Sequence, residues 1–121
     1  MAKVTTGSIA VVDDDTAVLE SYQFMLELAG FRVSAFASAL SYLDTPDIAP
    51  RCMILDQHMP LMTGLELAER LKDLALDIPI MLVTAAPTTA IRERAAALGI
   101  LKVLEKPPNE DELLAFVSAH R

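Results

Sequence analysis

Short apolar segments alternate with helix-like segments along the chain, and this alternation restricts the folds that it can adopt. The apolar segments are rich in Val, Ile, Leu or Phe, as are strands that are buried on both faces of a sheet. They comprise residues 8–12, 31–36, 52–55, 80–83 and 100–104. The alternation predicts an α/β fold, in which right-handed helical crossovers join parallel strands and helices cover both faces of the sheet.

Apolar residues at helical spacing lie after each predicted strand. The segments are residues 18–29, 37–43, 67–74, 91–98 and 113–117, of which 37–43 is the shortest and weakest candidate. Gly30 and Gly99 follow two of them, as glycine commonly follows a helix. Asn109, with Glu112 three residues later, is predicted to cap the last helix. Residues 45–50 contain two prolines and are predicted to form a loop.

Length, composition and charge limit the kind of protein further. A chain of 121 residues with 53% hydrophobic residues is expected to form a single folded domain over residues 1–121. No apolar stretch approaches the roughly 20 residues of a membrane helix, and no secretory signal pattern begins the chain, so a cytoplasmic location is predicted. A net charge of -7 disfavours direct contact with nucleic acid. Cys52, the single cysteine, is predicted to be a buried thiol.

Polar residues stand at the carboxyl ends of the predicted strands, where ligands bind to open parallel sheets. They are Asp13, Asp14 and Asp15 after the first strand, Asp56 after the third, Thr84 after the fourth and Lys106 after the fifth. Clustered carboxylates repel one another unless a cation offsets their charge, and their oxygen atoms suit Mg²⁺. A hydroxyl and an ammonium group beside them suit a phosphoryl group. A carboxylate can itself attack phosphorus, which predicts an aspartyl phosphate.

Four motifs together resemble the receiver domain of bacterial two-component response regulators, a CheY-like family. They are VVDDD at residues 11–15, ILDQHMPLMTG at 54–64, VTAA at 83–86 and LEKPP at 104–108. The resemblance implies a flavodoxin-like (βα)5 doubly wound parallel sheet with strand order 2-1-3-4-5. It also implies that a partner histidine kinase or phosphotransfer protein donates a phosphoryl group to Asp56 in an Mg²⁺-dependent reaction. Such a domain promotes its own phosphorylation and dephosphorylation, yet it signals and is not classed as an enzyme.

The resemblance assigns a role to each site residue. Asp14 would bind Mg²⁺ directly and Asp13 largely through a water, while Asp56 and the backbone carbonyl of His58 would complete the protein ligands. Thr84 and Lys106 would contact the phosphoryl group, and the bond from Lys106 to Pro107 would be cis.

Three further residues are interpreted from their chemistry. Asp15 is predicted to cap the following helix through its side chain. Gly64 is predicted to satisfy a backbone conformation that other residues would adopt only with strain. The His58 imidazole is not expected to bind a metal or to accept a phosphoryl group, because it has no obvious partner for either role: His120, the only other histidine, lies at the far end of the last helix.

One position departs from the family. Val103 stands where response regulators usually carry Tyr or Phe, so the usual aromatic switch cannot operate. The signal would instead pass through Thr84 and residues 85–89 to the surface of the fourth helix and fifth strand. This face carries Arg92, Arg94 and Lys102, so an acidic partner, an output domain outside this chain or a second copy of the chain would suit it.

Two other functions compete with the phosphorylatable switch. Haloacid-dehalogenase-like phosphatases also use an aspartyl nucleophile, but they carry a second Asp two residues later, where this chain has His58. A receiver-like interaction module that is independent of phosphorylation is the alternative that Val103 suggests. Such a module should keep its partner affinity after the substitution Asp56→Asn.

Overall fold

Five parallel strands form the central sheet of the computed structural model, which describes residues 4–5, 7–45 and 48–120. They are β1 (Ile9–Val12), β2 (Val33–Phe36), β3 (Cys52–Asp56), β4 (Ile80–Thr84) and β5 (Lys102–Glu105). Their order in the sheet is β2-β1-β3-β4-β5. This confirms the α/β fold and the strand order 2-1-3-4-5 that the resemblance implied.

Helices cover both faces of this sheet. They are α1 (Thr16–Leu28), α2 (Ala39–Leu43), α3 (Gly64–Asp73), α4 (Thr89–Ala97) and α5 (Glu110–Ala119). Successive strand residues point to opposite faces, so β1 contributes Val11 to one apolar cluster and Val12 to the other. Helices α1 and α5 pack on the Val11 face, and α2, α3 and α4 pack on the Val12 face. None of the described helices is long and apolar enough to span a membrane.

The first predicted strand begins one residue too early, and two others begin two residues too early for a shared reason. Phe31 and Ile100 are apolar, but their backbone N–H groups donate to Leu26 and Ala95 in the last turns of α1 and α4. The intervening glycine has a positive φ in each case, which completes a Schellman motif. Both residues therefore close the preceding helix, and the strands begin at Val33 and Lys102.

The prediction of a loop over residues 45–50 is wrong in part. Ile48–Ala49 pairs in parallel with Val4–Thr5 in a separate two-stranded ladder, which was not predicted. Two-residue strands carry no periodic signal that a sequence pattern could reveal. Pro46 and Asp47 lie outside the described residues.

Strand register brings the carboxyl ends of the central strands together. Val12 pairs with Leu55, Asp56 with Val83, and Thr84 with Glu105. β1 and β3 are neighbours in the sheet, but the helices that follow them, α1 and α3, lie on opposite faces. The two connections therefore diverge, and a crevice opens between them at this edge. Polar residues at or just after the ends of β1, β3, β4 and β5 meet there.

Candidate functional site

Three carboxylates form the centre of the site. Asp13 and Asp14 follow β1, and Asp56 is the last residue of β3. Each contributes one carboxylate oxygen to a cluster in which the three oxygens lie within 4.8 Å of one another. Asp13 is 1% exposed and Asp56 is 4% exposed, whereas Asp14 is open to solvent. Two buried anions with a third at the surface are an oxygen donor set that suits Mg²⁺.

Lys106 joins this cluster from the loop between β5 and α5. Its Nζ donates to Asp13 Oδ2 at 2.8 Å and lies 3.2 Å from Asp56 Oδ1. Its backbone N–H donates to the carbonyl of Thr84 at 2.9 Å, which ties the loop to the end of β4. The bond from Lys106 to Pro107 is cis, as the resemblance implied.

Burial and charge shift the titration of these groups. Burial raises the pKa of the Asp56 carboxyl above its usual range, the charge of Asp13 raises it further, and Lys106 lowers it. Burial lowers the pKa of Lys106, but its hydrogen bond to Asp13 and the charges of Asp13 and Asp56 outweigh that effect and raise it. The ammonium group therefore stays charged, yet a single cation does not fully offset the two buried carboxylates. A further cation would relieve the remaining repulsion.

Thr84 ends β4 and is completely buried, and its hydroxyl has two partners. Oγ1 accepts the backbone N–H of Ala86 at 3.1 Å and lies 3.0 Å from His58 Nε2. This contact of the His58 side chain was not predicted. The two residues are 26 positions apart. The pairing of Asp56 with Val83 places the ends of β3 and β4 side by side, and the loop after β3 then brings His58 to Thr84.

Asp15 acts on the helix, as predicted. Its Oδ1 accepts the backbone N–H groups of Ala17 at 3.0 Å and Val18 at 3.3 Å, so it caps α1. Its own backbone N–H donates to Asp13 Oδ1 at 2.9 Å. The third aspartate thus positions the first, because it fixes the chain between β1 and α1.

The loop from β3 to α3 is held by a residue that the sequence analysis missed. Gln57 is 8% exposed, and its side-chain Oε1 accepts the backbone N–H of Leu65 at 2.8 Å. Its backbone carbonyl accepts the N–H of Gly64 at 3.1 Å. The sequence shows only that a polar residue follows Asp56 directly. That position does not reveal a side chain that points inward and accepts a hydrogen bond.

Gly64 is required for a different reason from the one predicted. A Cβ atom at this position would lie 2.5 Å from the backbone oxygen of Asp56 and 2.9 Å from Leu82 Cδ1. Its φ is not positive, whereas Leu61 in the same loop has a φ of 69°. Glycine is therefore needed for the close approach of α3 to the end of β3.

An open groove of about 500 Å³ lies beside the cluster, between α1 and the start of α5. Lys106 and Tyr22 are among its lining residues. The Tyr22 hydroxyl is buried without a hydrogen-bond partner among the described residues, and burial raises its pKa to about 12. Tyr22 was predicted only as part of the apolar face of α1, since helical spacing does not show where a hydroxyl points.

Comparisons with known proteins agree with this geometry. The family described as "Response regulator receiver domain" matches residues 9–118. Transcriptional regulatory protein FixJ of Bradyrhizobium diazoefficiens is 36% identical over 116 residues, which are 95% of this chain and 57% of that protein. The chain spans about half the length of the curated relatives that it matches.

Solved structures show the same likeness. A CheY-like receiver domain protein from Methanospirillum hungatei is 28% identical with a TM-score of 0.85, over 98% of this chain and 93% of that one. The BeF3-activated DrrB receiver domain is 27% identical with a TM-score of 0.82, over 99% of this chain and 97% of that one.

Proposed function

The chain belongs to the response regulator receiver domain family, and we propose that within it the chain is a switch operated by phosphorylation of Asp56. The observation that carries this proposal is the meeting of Asp13, Asp14, Asp56 and Lys106 at one edge of the sheet. The phosphoryl group would come from a histidine kinase or a phosphotransfer protein, and the reaction would depend on Mg²⁺.

The residues present fit a magnesium ion. Asp13, Asp14 and Asp56 supply oxygen atoms within 4.8 Å of one another, and burial followed by the charge of Asp13 raises the pKa of Asp56. These three side chains, with the backbone carbonyl of His58, would hold the ion. When bound, Mg²⁺ supplies positive charge at the place where anionic phosphoryl oxygens must approach an anionic acceptor.

Each polar side chain then has a defined part in the transfer. A carboxylate oxygen of ionised Asp56 forms a bond to phosphorus while the bond from phosphorus to the donor's imidazole nitrogen breaks. Lys106 lies beside Asp56 and can turn its charge toward the phosphoryl oxygens. Thr84 carries the hydroxyl that can donate a hydrogen bond to one of them.

The groove beside the cluster is the proposed docking surface for a phosphate-donating partner, because Lys106 both lines it and contacts Asp56. Ser21 of α1 and Glu110 of α5 are exposed residues of its lining, so a helical partner could lie against both helices while its phosphohistidine approaches the site. The basic face with Arg92, Arg94 and Lys102 is exposed and is proposed to meet an output domain or a second copy of the chain. Any output domain is proposed to lie outside residues 1–121, which would form the receiver unit alone.

Intact-mass analysis after incubation with acetyl phosphate and Mg²⁺ tests the proposal. We expect a gain of one phosphoryl group by the wild-type protein and none by Asp56→Asn or by wild type in EDTA. Asp77→Asn is a matched control, because Asp77 is an exposed aspartate in the loop between α3 and β4 at the opposite edge of the sheet. Phosphorylation of Asp56→Asn would contradict the proposal, because another residue would then be the acceptor. No phosphorylation of the wild type would also contradict it and would favour a phosphorylation-independent interaction module.

A further inference from the structure

The contact between Thr84 and His58 joins the hydroxyl of the site to a side chain on the surface. Thr84 Oγ1 lies 3.0 Å from His58 Nε2, and Thr84 is fully buried whereas His58 is exposed. His58 lies two residues after Asp56, so the contact bridges the ends of β3 and β4 directly beside the proposed phosphate acceptor. Any change in the hydrogen bonding of Thr84 therefore acts on the loop that carries His58.

The direction of this hydrogen bond follows from counting donors and acceptors. A threonine hydroxyl has one proton to donate and two lone pairs that accept. Oγ1 already accepts from Ala86 N–H, and within the described residues His58 is its only other side-chain or backbone partner. If Nε2 donated, the buried Thr84 proton would lack an acceptor, which folded proteins avoid. The geometry therefore assigns Thr84 as the donor, Nε2 as the acceptor and the ring proton to Nδ1.

We propose that His58 is a positioning residue that holds the Thr84 hydroxyl in the unphosphorylated protein and releases it when Asp56 is phosphorylated. Phosphoryl oxygens only accept hydrogen bonds, so Thr84 can bind one only with the proton that it now donates to His58. The imidazole and the phosphoryl group therefore compete for the same hydroxyl. This inference rests on the proposed phosphorylation of Asp56.

The competition gives the chain a way to signal that does not need an aromatic residue at position 103. Val103 is half-buried against the cluster on the α2, α3 and α4 face, and its side chain can neither donate nor accept a hydrogen bond. His58 is exposed, so its imidazole is free to reorient at the surface once Thr84 turns away. Phosphorylation would thus alter the surface of the loop between β3 and α3.

Nitrogen NMR of the free protein tests the starting state without phosphorylation. In mildly alkaline buffer without Mg²⁺ we expect the His58 ring to carry its proton on Nδ1, with Nε2 unprotonated. Thr84→Val should shift the ring toward a mixture of tautomers, and His120→Gln identifies the resonances of His58. A proton on Nε2 in the wild type would overturn the inference whether or not Asp56 is phosphorylated.

Affinity for BeF3⁻, the group that activates the DrrB receiver domain, tests the competition itself. In Mg²⁺ we expect His58→Leu to bind BeF3⁻ roughly two- to tenfold more tightly than wild type, which is the range for one net hydrogen bond. His58→Gln should resemble wild type, because its amide oxygen can accept from Thr84. The gain should vanish in the Thr84→Val background, where no hydroxyl remains to be released.

The outcomes separate this inference from the proposed function. Binding of BeF3⁻ by wild type, with no gain or a loss in His58→Leu, would overturn the role of His58 and leave the switch intact. A gain that persists in Thr84→Val would also overturn it, since the effect would not pass through the hydroxyl. No binding of BeF3⁻ by any variant would overturn both.

Discussion

Asp56 is the residue where burial and charge conflict most. It is 4% exposed and close to Asp13, and burial followed by that neighbouring charge raises its pKa. Lys106, 3.2 Å away, offsets only part of the cost. An ionised carboxylate at this position therefore lowers the stability of the metal-free protein, and it stands where the proposed phosphoryl transfer would need one.

The raised pKa of Asp56 predicts how Asp56→Asn changes stability with pH. In EDTA, wild type and variant should converge at acid pH, where the carboxyl is protonated in both the folded and the unfolded protein. As pH rises from the ordinary carboxyl range through the higher pKa of the folded state, the unfolded chain loses its proton first and wild type is progressively destabilised. At neutral pH the variant should be more stable by on the order of 1 kcal/mol.

Urea unfolding across this pH range, followed by circular dichroism, measures the difference. Asp77→Asn serves as the control, because an exposed aspartate should leave the pH dependence unchanged. Parallel curves for wild type and Asp56→Asn would show that burial of this carboxylate has no cost.

Some properties of individual residues could be predicted from the sequence and others could not. Asp15 is predictable as a cap because its role depends on backbone N–H groups only two and three positions later in the chain. The Gly64 approach to Asp56 and the His58 contact with Thr84 depend on the path of a loop in space. No local pattern encodes that path. The need for glycine at position 64 was therefore predicted with the wrong cause, and the contact of His58 with Thr84 was missed.

At the scale of elements, three helices end in the same way although only two of them carry glycine. The Schellman bonds from Phe31 and Ile100 follow Gly30 and Gly99, whereas Leu76 donates to Leu71 at 2.9 Å after Ala75. Ala75 has a φ of 58°, which costs an L-amino acid about 1 kcal/mol or more. Glycine marked two helix ends in the sequence. The end of the third helix was predicted at Leu74 from apolar spacing, but the left-handed residue after it was not, because alanine is an unusual choice there.

Ala75→Gly is therefore expected to stabilise the protein. The substitution removes the strain of the left-handed conformation, but glycine also gives the unfolded chain more conformational freedom. The net effect should be a rise in the free energy of unfolding of roughly 0.5–1 kcal/mol. Gly99→Ala is the reciprocal control, with a φ of 78° and open space around the added Cβ, and should lower stability by a similar amount. Urea unfolding at neutral pH measures both, and a loss of stability in Ala75→Gly would contradict the strain.

At the scale of the whole molecule, the fold was predictable because each of its five strands is a separate apolar run, and the site because its polar residues stand at strand ends. The boundaries of the strands were harder to predict. Phe31 and Ile100 are apolar like strand residues, but their backbone N–H groups close the preceding helices. The same fold places Cys52 and Asp56 at the two ends of β3. Metal binding at the Asp56 end of β3 can therefore be detected as a change in the exposure of Cys52 at the other end.

Cys52 offers a measurement of that coupling. Its side chain is fully buried, and burial raises its pKa to about 12, so a thiol reagent should react only when the domain opens. Mg²⁺ that binds the folded state alone lowers the population of open molecules by mass action. At a Mg²⁺ concentration of about a hundred times Kd, labelling should slow about a hundredfold.

Two neighbouring aspartates make this test specific. Asp14→Ala removes a carboxylate of the cluster and should abolish most of the slowing by Mg²⁺ without faster labelling in EDTA, since Asp14 is exposed. Asp15→Ala removes the cap of α1, which costs about 1 kcal/mol, and should speed labelling about fivefold in EDTA while the slowing by Mg²⁺ remains. The reverse pattern would mean that Asp15 holds the metal and Asp14 the helix. Equal slowing in all three proteins would mean that Mg²⁺ stabilises the fold from another place.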